Sequence, residues 1–384
     1  MFLEILKNKL NQLQKYSMRK DKALRVIISG GGTGGHIYPA IAIANALKSR
    51  NEATEILFVG AQDRMEMEKV PKAGYEIKGL WISGIQRKLS LKNLMFPIKL
   101  LKSVWDAKRI IKKFNPDIVV GVGGYASGPT LYAGVNSNIP ALVQEQNSYA
   151  GITNKLLANK VQKVCVAYDG MERYFPKENI VFTGNPVRKD ISSRAVNQQE
   201  ARKHFDLDEN KKTLLVIGGS LGALSINESL ELMMTSFDAS DYQIIWQSGK
   251  YFGPRAVQAT KNKVGVFTSE FIYEMDKAYA AADFVVSRAG ALSISELCLA
   301  GKPSILVPYP YAAEDHQTKN AEALVLKDAA LMVSDASARA ELIGLIEKLS
   351  TDTEKQKTLA ENIRKMGKPN ADELIVDQIY SLVL

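Results

Sequence analysis

"RVIISGGGTGGHIYPAIAIANAL", Arg25 to Leu47, fixes how the rest of the chain is read. A short apolar run leads into five glycines within the seven positions from Gly30 to His36. Each glycine costs roughly 0.5–1 kcal/mol relative to alanine in ordered backbone, so the cluster needs a use that offsets this. A helix-like segment follows, with Pro39 expected in its first turn. Strand, glycine loop and helix in that order open a doubly wound α/β domain.

The same grammar extends outward. Strand-like runs follow at "EILFVG" (55–60), "PDIVVGVGG" (116–124), "PALVQEQN" (140–147), "KVCVAY" (163–168) and "NIVFTGNPVR" (179–188). Near-continuous Val/Ile/Leu strands between helices indicate a parallel sheet covered on both faces. The pattern restarts at "KTLLVIGGSLGALSINESL" (212–230) and continues through "QIIWQSG", "VGVFTSEF", "ADFVVSRAGALSISELCLAG" and "PSILVPYP". At 384 residues the chain also exceeds what one hydrophobic core usually organises. The expectation is an α/β protein of two Rossmann-like doubly wound domains facing across a cleft. Residues 24–190 form the first and 191–384 the second, with the last helix free to pack back on the first. In such folds ligands bind beyond the carboxyl ends of the strands, where the glycine loops fall.

Charge is unevenly spread. Residues 1–187 carry 27 Lys+Arg against 14 Asp+Glu, net +13, and residues 188–384 carry 23 against 27, net −4. A basic first half attracts phosphates, whether of nucleotide, lipid or nucleic acid. The acidic second half speaks against a nucleic-acid binder. Residues 78–113 hold ten Lys/Arg and one acidic residue, Asp106, interleaved with Leu80, Trp81, Ile82, Ile85, Leu94, Met95, Phe96 and Trp105. This composition suits an anionic membrane surface, the reading preferred over an ordinary amphipathic helix with its apolar side in the core. No apolar run is long enough to span a bilayer. Residues 1–23 place Leu3, Leu6, Leu10 and Leu13 at helical spacing among lysines, an amphipathic extension that a start at Met18 would largely omit. Cys165 and Cys298 lie in apolar surroundings and read as buried thiols without metal-ligand spacing.

Gly30 to Gly35 formally fits the dinucleotide pattern G-x-G-x-x-G, but a run so rich in glycine fits many patterns. The second strand ends at Gly60 where a ribose-binding carboxylate is wanted, which disfavours NAD, and no P-loop sequence is present. A glycine loop opening a helix still lets backbone N–H groups approach an anion or sugar. His36 falls at that helix start, where the dipole favours the neutral ring, a form able to accept a proton. "GGSLGA" (218–223) and "SRAGALSISE" (287–296) repeat the device, with Glu296 placed to hold a ribose diol. His316 reads as a local cap and His204 as structural.

"GGGTGGHIYPA", "GVGGYASGP", "EQN", "GNPVR", "GGSLGA", "RAGALSISE" and "EDHQTKNA" occur in an order and spacing that resembles the MurG family. These are the peripheral-membrane N-acetylglucosaminyltransferases of bacterial peptidoglycan synthesis. The resemblance runs from about residue 24 to the end. It implies the GT-B fold and inverting transfer of N-acetylglucosamine from UDP-N-acetylglucosamine to the muramyl 4-hydroxyl of lipid I, giving lipid II. It implies no cofactor and no obligatory metal, at the cytoplasmic face of the plasma membrane. By matching motif, Ser220, Ile272, Ala291, Leu292, Ser293, Ile294, Ser295, Glu296 and Gln317 contact the donor, joined by Thr33, Gly34, Gly35, Asn147 and Arg188. His36 matches the acceptor-activating base, and Gly123, Gly124, Tyr125 and Ser127 a loop near the acceptor diphosphate. Leu221 stands where many members have glutamine, so a role for that side chain is not carried over.

Overall fold

A computed structural model describes residues 22–84, 95–187, 191 and 196–384. Nearly all of the amphipathic extension, Arg188, and Ile85 and Leu94 of the basic stretch lie outside the described residues. The chain divides into two compact units, 1–186 with 370–384, and 187–369. The second unit thus begins before residue 191 and stops before the last helix, which belongs to the first.

In the first unit the elements run β1 (Arg25–Ser29), α1 (Gly34–Arg50), β2 (Glu55–Ala61), α2 (Glu66–Lys72), β3 (Glu76–Leu80), α3 (Phe96–Phe114), β4 (Ile118–Gly121), α4 (Ser127–Val135), β5 (Ala141–Glu145), α5 (Ile152–Leu157), β6 (Lys163–Val166) and β7 (Ile180–Phe182). The seven strands pair in the order β3-β2-β1-β4-β5-β6-β7, all parallel. The order reverses between β1 and β4, the switch point at which open α/β sheets hold ligands. Val26, Ile28, Val120 and Leu142 are fully buried with Cys165 in one apolar core. Burial pushes the Cys165 thiol up to about 12, so it is inert packing, as its apolar surroundings suggested.

Pro39 is not in the first turn. α1 already starts at Gly34, with extended Thr33 as its N-cap, and the carbonyl of Thr33 accepts from the amides of His36 and Ile37. Gly34 and Gly35 are already helical, which moves Pro39 into the second turn. β3 escaped the sequence reading because Glu76-Ile-Lys-Gly-Leu80 carries little apolar signal.

The second unit runs α6 (Gln198–His204), β8 (Thr213–Ile217), α7 (Leu224–Met234), β9 (Gln243–Gln247), α8 (Gly253–Ala259), β10 (Val266–Ser269), α9 (Met275–Ala281), β11 (Phe284–Ser287), α10 (Ala291–Ala300), β12 (Ser304–Leu306), α11 (His316–Val325), β13 (Leu331–Met332), α12 (Ala338–Thr351) and α13 (Thr353–Met366). Its sheet is also parallel, ordered β10-β9-β8-β11-β12-β13, with the switch between β8 and β11. Leu214, Val216, Trp246, Ile305, Ile346 and Leu359 centre a separate core. The final helix α14 (Ala371–Val383) packs Ile375, Val376, Ile379 and Tyr380 into the core of the first unit.

Candidate active site

Parallel register places Ser29 opposite Gly121, so the chain leaves β1 and β4 side by side. Both exits are glycine loops, and they touch. A Cβ on Gly30 would lie 2.1 Å from Val122 Cγ2, and one on Gly124 only 2.4 Å from the carbonyl oxygen of Gly31. The close approach therefore requires glycine on both sides. His36, half-buried in the first turn of α1, brings Nδ1 to 3.0 Å from the Gly31 carbonyl and 3.3 Å from Thr33 Oγ1. A carbonyl only accepts, so the hydrogen-bond pattern assigns the proton to Nδ1, and the neutral ring keeps its lone pair on Nε2. That edge lies against Gly123, where a Cβ would come within 2.9 Å of Nε2 and φ is +92°. The neighbouring loop thus leaves room for the basic nitrogen only because it is glycine.

The second loop carries the other candidates. Tyr125 is 48% exposed and lies over Gly84. Ser127 is fully buried at the start of α4, its hydroxyl beside Gly121. Asn147 follows β5, the next strand along. Its backbone N–H and Nδ2 donate to Glu145 Oε1 at 3.0 and 3.2 Å. Glu145 is buried and accepts on its other oxygen from Gly151 N and Asn154 Nδ2. Gln146 Nε2 donates to the Val122 carbonyl, tying this strand end to the β4 loop. Thr33, Gly34, Gly35, His36, Gly123, Gly124 and Asn147 thus share the carboxyl end of one sheet.

The second unit repeats the arrangement. Ile217 pairs with Gln247 on one side and Ser287 on the other. Gly222, at φ +90°, leaves no room for a Cβ, which would meet the Ser248 carbonyl at 2.4 Å. Ser220 and Leu221 are exposed at the tip of this loop. Ile272 is buried, and its N–H donates to Gln247 Oε1. Extended Gly290 caps α10, along which Leu292, Ser293, Ser295 and Glu296 are half-buried while Ala291 and Ile294 are buried. Gln317 Oε1 accepts from Tyr309 N, fixing the loop after β12. These residues, too, gather where strands end or in the helices that follow. His204 instead sits beside Lys277, and His316 begins α11, 3.8 Å from Glu314.

Four contributors were not singled out from the sequence. Glu145 orients Asn147. Tyr279 donates its hydroxyl to Glu296 Oε2 at 3.0 Å, and burial, then the Glu296 charge, pushes its phenol well above the ordinary value. Arg288 binds the carbonyls of Val307 and Pro308 and pairs with Asp335, bracing the start of the Tyr309 loop. Glu66 reaches the first glycine loop from α2, accepting from Gly32 N at 2.9 Å and Ala61 N at 3.0 Å. Only Gly60, odd at the end of a buried strand, hinted at Glu66: a Cβ there would lie 2.6 Å from Glu66 Cγ.

With this geometry in place, similarity to known proteins is specific. The family model of the glycosyltransferase family 28 N-terminal domain matches residues 26–166, and that of the C-terminal domain matches 213–377. The UDP-N-acetylglucosamine–N-acetylmuramyl-(pentapeptide) pyrophosphoryl-undecaprenol N-acetylglucosamine transferase of Parabacteroides distasonis is 54% identical over 361 residues, covering 94% of this chain and 98% of that protein. Its namesake in Cytophaga hutchinsonii is 54% identical, covering 95% and 99%. The crystal structure of Acinetobacter baumannii MurG superposes with a TM-score of 0.76 at 28% identity, covering 93% of this chain and 99% of that one. A UDP-N-acetylglucosamine 2-epimerase from Listeria monocytogenes shares the fold alone, at 12% identity and a TM-score of 0.66. The chain belongs to glycosyltransferase family 28 and, within it, to the MurG family of N-acetylglucosaminyltransferases.

Proposed function

We propose that this chain transfers N-acetylglucosamine from UDP-N-acetylglucosamine to the muramyl 4-hydroxyl of undecaprenyl-diphosphoryl-N-acetylmuramyl-pentapeptide, with inversion at the anomeric carbon. The acceptor oxygen forms the new glycosidic bond, the bond from the anomeric carbon to the UDP oxygen breaks, and the hydroxyl proton passes to a base. One observation carries the role of His36: its Nδ1 lies 3.0 Å from the Gly31 carbonyl, which assigns the proton to Nδ1 and makes Nε2, beside Gly123, the proton-accepting nitrogen. A base so placed contributes about 10²–10⁴-fold. Glu296, held by Tyr279, takes the ribose of the donor, and the start of α10 faces its diphosphate. Gly123, Gly124, Tyr125 and Ser127 form the acceptor-diphosphate loop, and Arg188 adds positive charge to the departing UDP.

The lipid-linked acceptor requires contact with a membrane surface, and the exposed side of α3 suits that contact. Ser103, Ala107 and Ile111 are its buried residues, whereas Ile98, Leu101 and Trp105 on the opposite side are 54%, 72% and 56% exposed. The apolar side is therefore not spent in the core. Exposed Lys102, Lys108, Arg109 and Lys112 flank it, and Arg109 lies over the Trp105 ring. Cations around an exposed tryptophan and aliphatics suit anionic headgroups. No helix among the described residues is long and apolar enough to cross a membrane. Peripheral attachment at the cytoplasmic face, the placement that the family resemblance implies, completes this reading.

The test combines purified protein, UDP-N-acetylglucosamine and a short-chain analogue of the lipid acceptor. Mass spectrometry is expected to find a disaccharide product, and UDP released only when acceptor is present. His36→Ala is expected to lose about 10²–10⁴-fold in kcat while still binding UDP. UDP release without acceptor overturns the acceptor assignment, and an unimpaired His36→Ala overturns the base.

A further inference from the structure

Glu66 is a carboxylate 1% exposed, with no cation paired to it among the described residues. A buried carboxylate needs hydrogen bonds to offset its lost hydration. Its two oxygens accept from two backbone amides, Oε2 from Gly32 N at 2.9 Å and Oε1 from Ala61 N at 3.0 Å. The way in is cleared by two absent side chains. A Cβ on Gly60 would lie 2.6 Å from Glu66 Cγ, and one on Gly31 would lie 2.2 Å from the carboxyl carbon.

The Gly32 N–H belongs to the same peptide unit as the Gly31 carbonyl, and that carbonyl is what His36 Nδ1 meets at 3.0 Å. Carboxylate, peptide and imidazole form one chain of hydrogen bonds. An anion bound to the N–H of a peptide polarises its carbonyl and makes it a stronger acceptor. A carboxylate bonded directly to a catalytic histidine fixes its tautomer and stabilises the imidazolium that forms. We infer that Glu66 is a positioning residue for His36, doing the same two things through the Gly31–Gly32 peptide. The inference rests on His36 as the base. It also accounts for a carboxylate at this position: glutamine offers one acceptor oxygen and would turn an NH₂ toward the second amide.

The test is a double-mutant cycle on the full chain, with UDP-N-acetylglucosamine and the short-chain acceptor analogue, joined to histidine NMR. Glu66→Gln is expected to lower kcat roughly 10–100-fold, by analogy with loss of the outer partner of a metal-ligating histidine, with UDP affinity within about twofold. In the His36→Ala background the same change is expected to cost less than about threefold, because its route to the chemistry is gone. Long-range ¹H–¹⁵N spectra of ¹⁵N-histidine protein, assigned with His36→Ala, are expected to show Nδ1–H in the wild type and a tautomer mixture in Glu66→Gln. An equal cost in both backgrounds overturns the inference, since a merely structural clamp acts that way. So does a wild-type proton on Nε2, or an unchanged tautomer in Glu66→Gln. If His36→Ala keeps full turnover, the base assignment falls, and the tautomer decides the Glu66–His36 link alone. Glu66→Asp, which keeps the charge and shortens the reach, takes the same measurements if Glu66→Gln does not fold; if neither folds, the wild-type tautomer decides.

Discussion

At the scale of single residues, the candidate site residues proposed from sequence are braced by partners that sequence does not advertise. Glu296 was legible because it sits within two turns of a glycine-started helix. Tyr279, its hydroxyl partner, lies 17 residues earlier, and no periodicity connects the two. Losing a hydrogen bond to a charged group costs about 1.5–3 kcal/mol. Tyr279→Phe is therefore expected to weaken UDP binding at least tenfold by calorimetry (about 1.4 kcal/mol), with kcat at saturating donor changed by less than about twofold. Because burial and Glu296 hold the phenol protonated well above its usual range, the wild type is expected to keep this contribution up to about pH 10. A loss of UDP affinity at lower pH in the wild type, absent in Tyr279→Phe, would contradict that. Glu66 is hidden for a similar reason: its amide partner Gly32 is 34 positions away, and its one local trace is Gly60, a glycine at the end of a buried strand.

At the scale of elements, strands and glycine loops were plain because apolar runs and glycine clusters are local signals. β13, two residues long, and β3 were not, because neighbouring strands define them more than their own composition. The helix α3 was ambiguous for a different reason. Its apolar and basic residues fit either a core-facing or a membrane-facing helix, and periodicity cannot say which side the fold covers. The structure covers the side with Ser103 and Ala107, leaving Trp105 outside. Each well-placed cation near an anionic leaflet contributes about 1 kcal/mol. Lys108→Gln with Lys112→Gln is thus expected to weaken binding to phosphatidylglycerol vesicles by about 2 kcal/mol, roughly 30-fold, while sparing binding to neutral vesicles. Trp105→Ala is expected to weaken both, by losing apolar contact. Sedimentation with vesicles of each composition separates these outcomes, and equal binding by all variants would remove α3 from the membrane surface.

At the scale of the whole molecule, the first unit is built from both ends of the chain, so its stability depends on residues that follow the entire second unit. Ile375, Val376, Ile379 and Tyr380 of α14 are at most 2% exposed in its core. The Tyr380 hydroxyl donates to the Lys22 carbonyl, and Asp377 pairs with Arg50 at 2.7 Å. Burying four such side chains stabilises by about 6–12 kcal/mol at roughly 1.5–3 kcal/mol each. That is comparable to the whole stability of an ordinary domain, about 5–15 kcal/mol, so the helix is not optional. The second unit does not share this core; Trp246, Ile305, Ile346 and Leu359 belong to its own. A chain ending at Pro369 is therefore expected to unfold selectively. Limited proteolysis should digest residues up to about 186 and leave a resistant fragment spanning 187–369, and sugar transfer should be lost. UDP binding by that fragment should persist, weakened by loss of the proposed contacts at Thr33, Gly34, Gly35 and Asn147, since the proposed contacts Ser220, Ile272, Glu296 and Gln317 all lie within it. Resistance of both units to protease after the truncation would mean that the core of the first unit closes without α14, against the burial of its four apolar side chains.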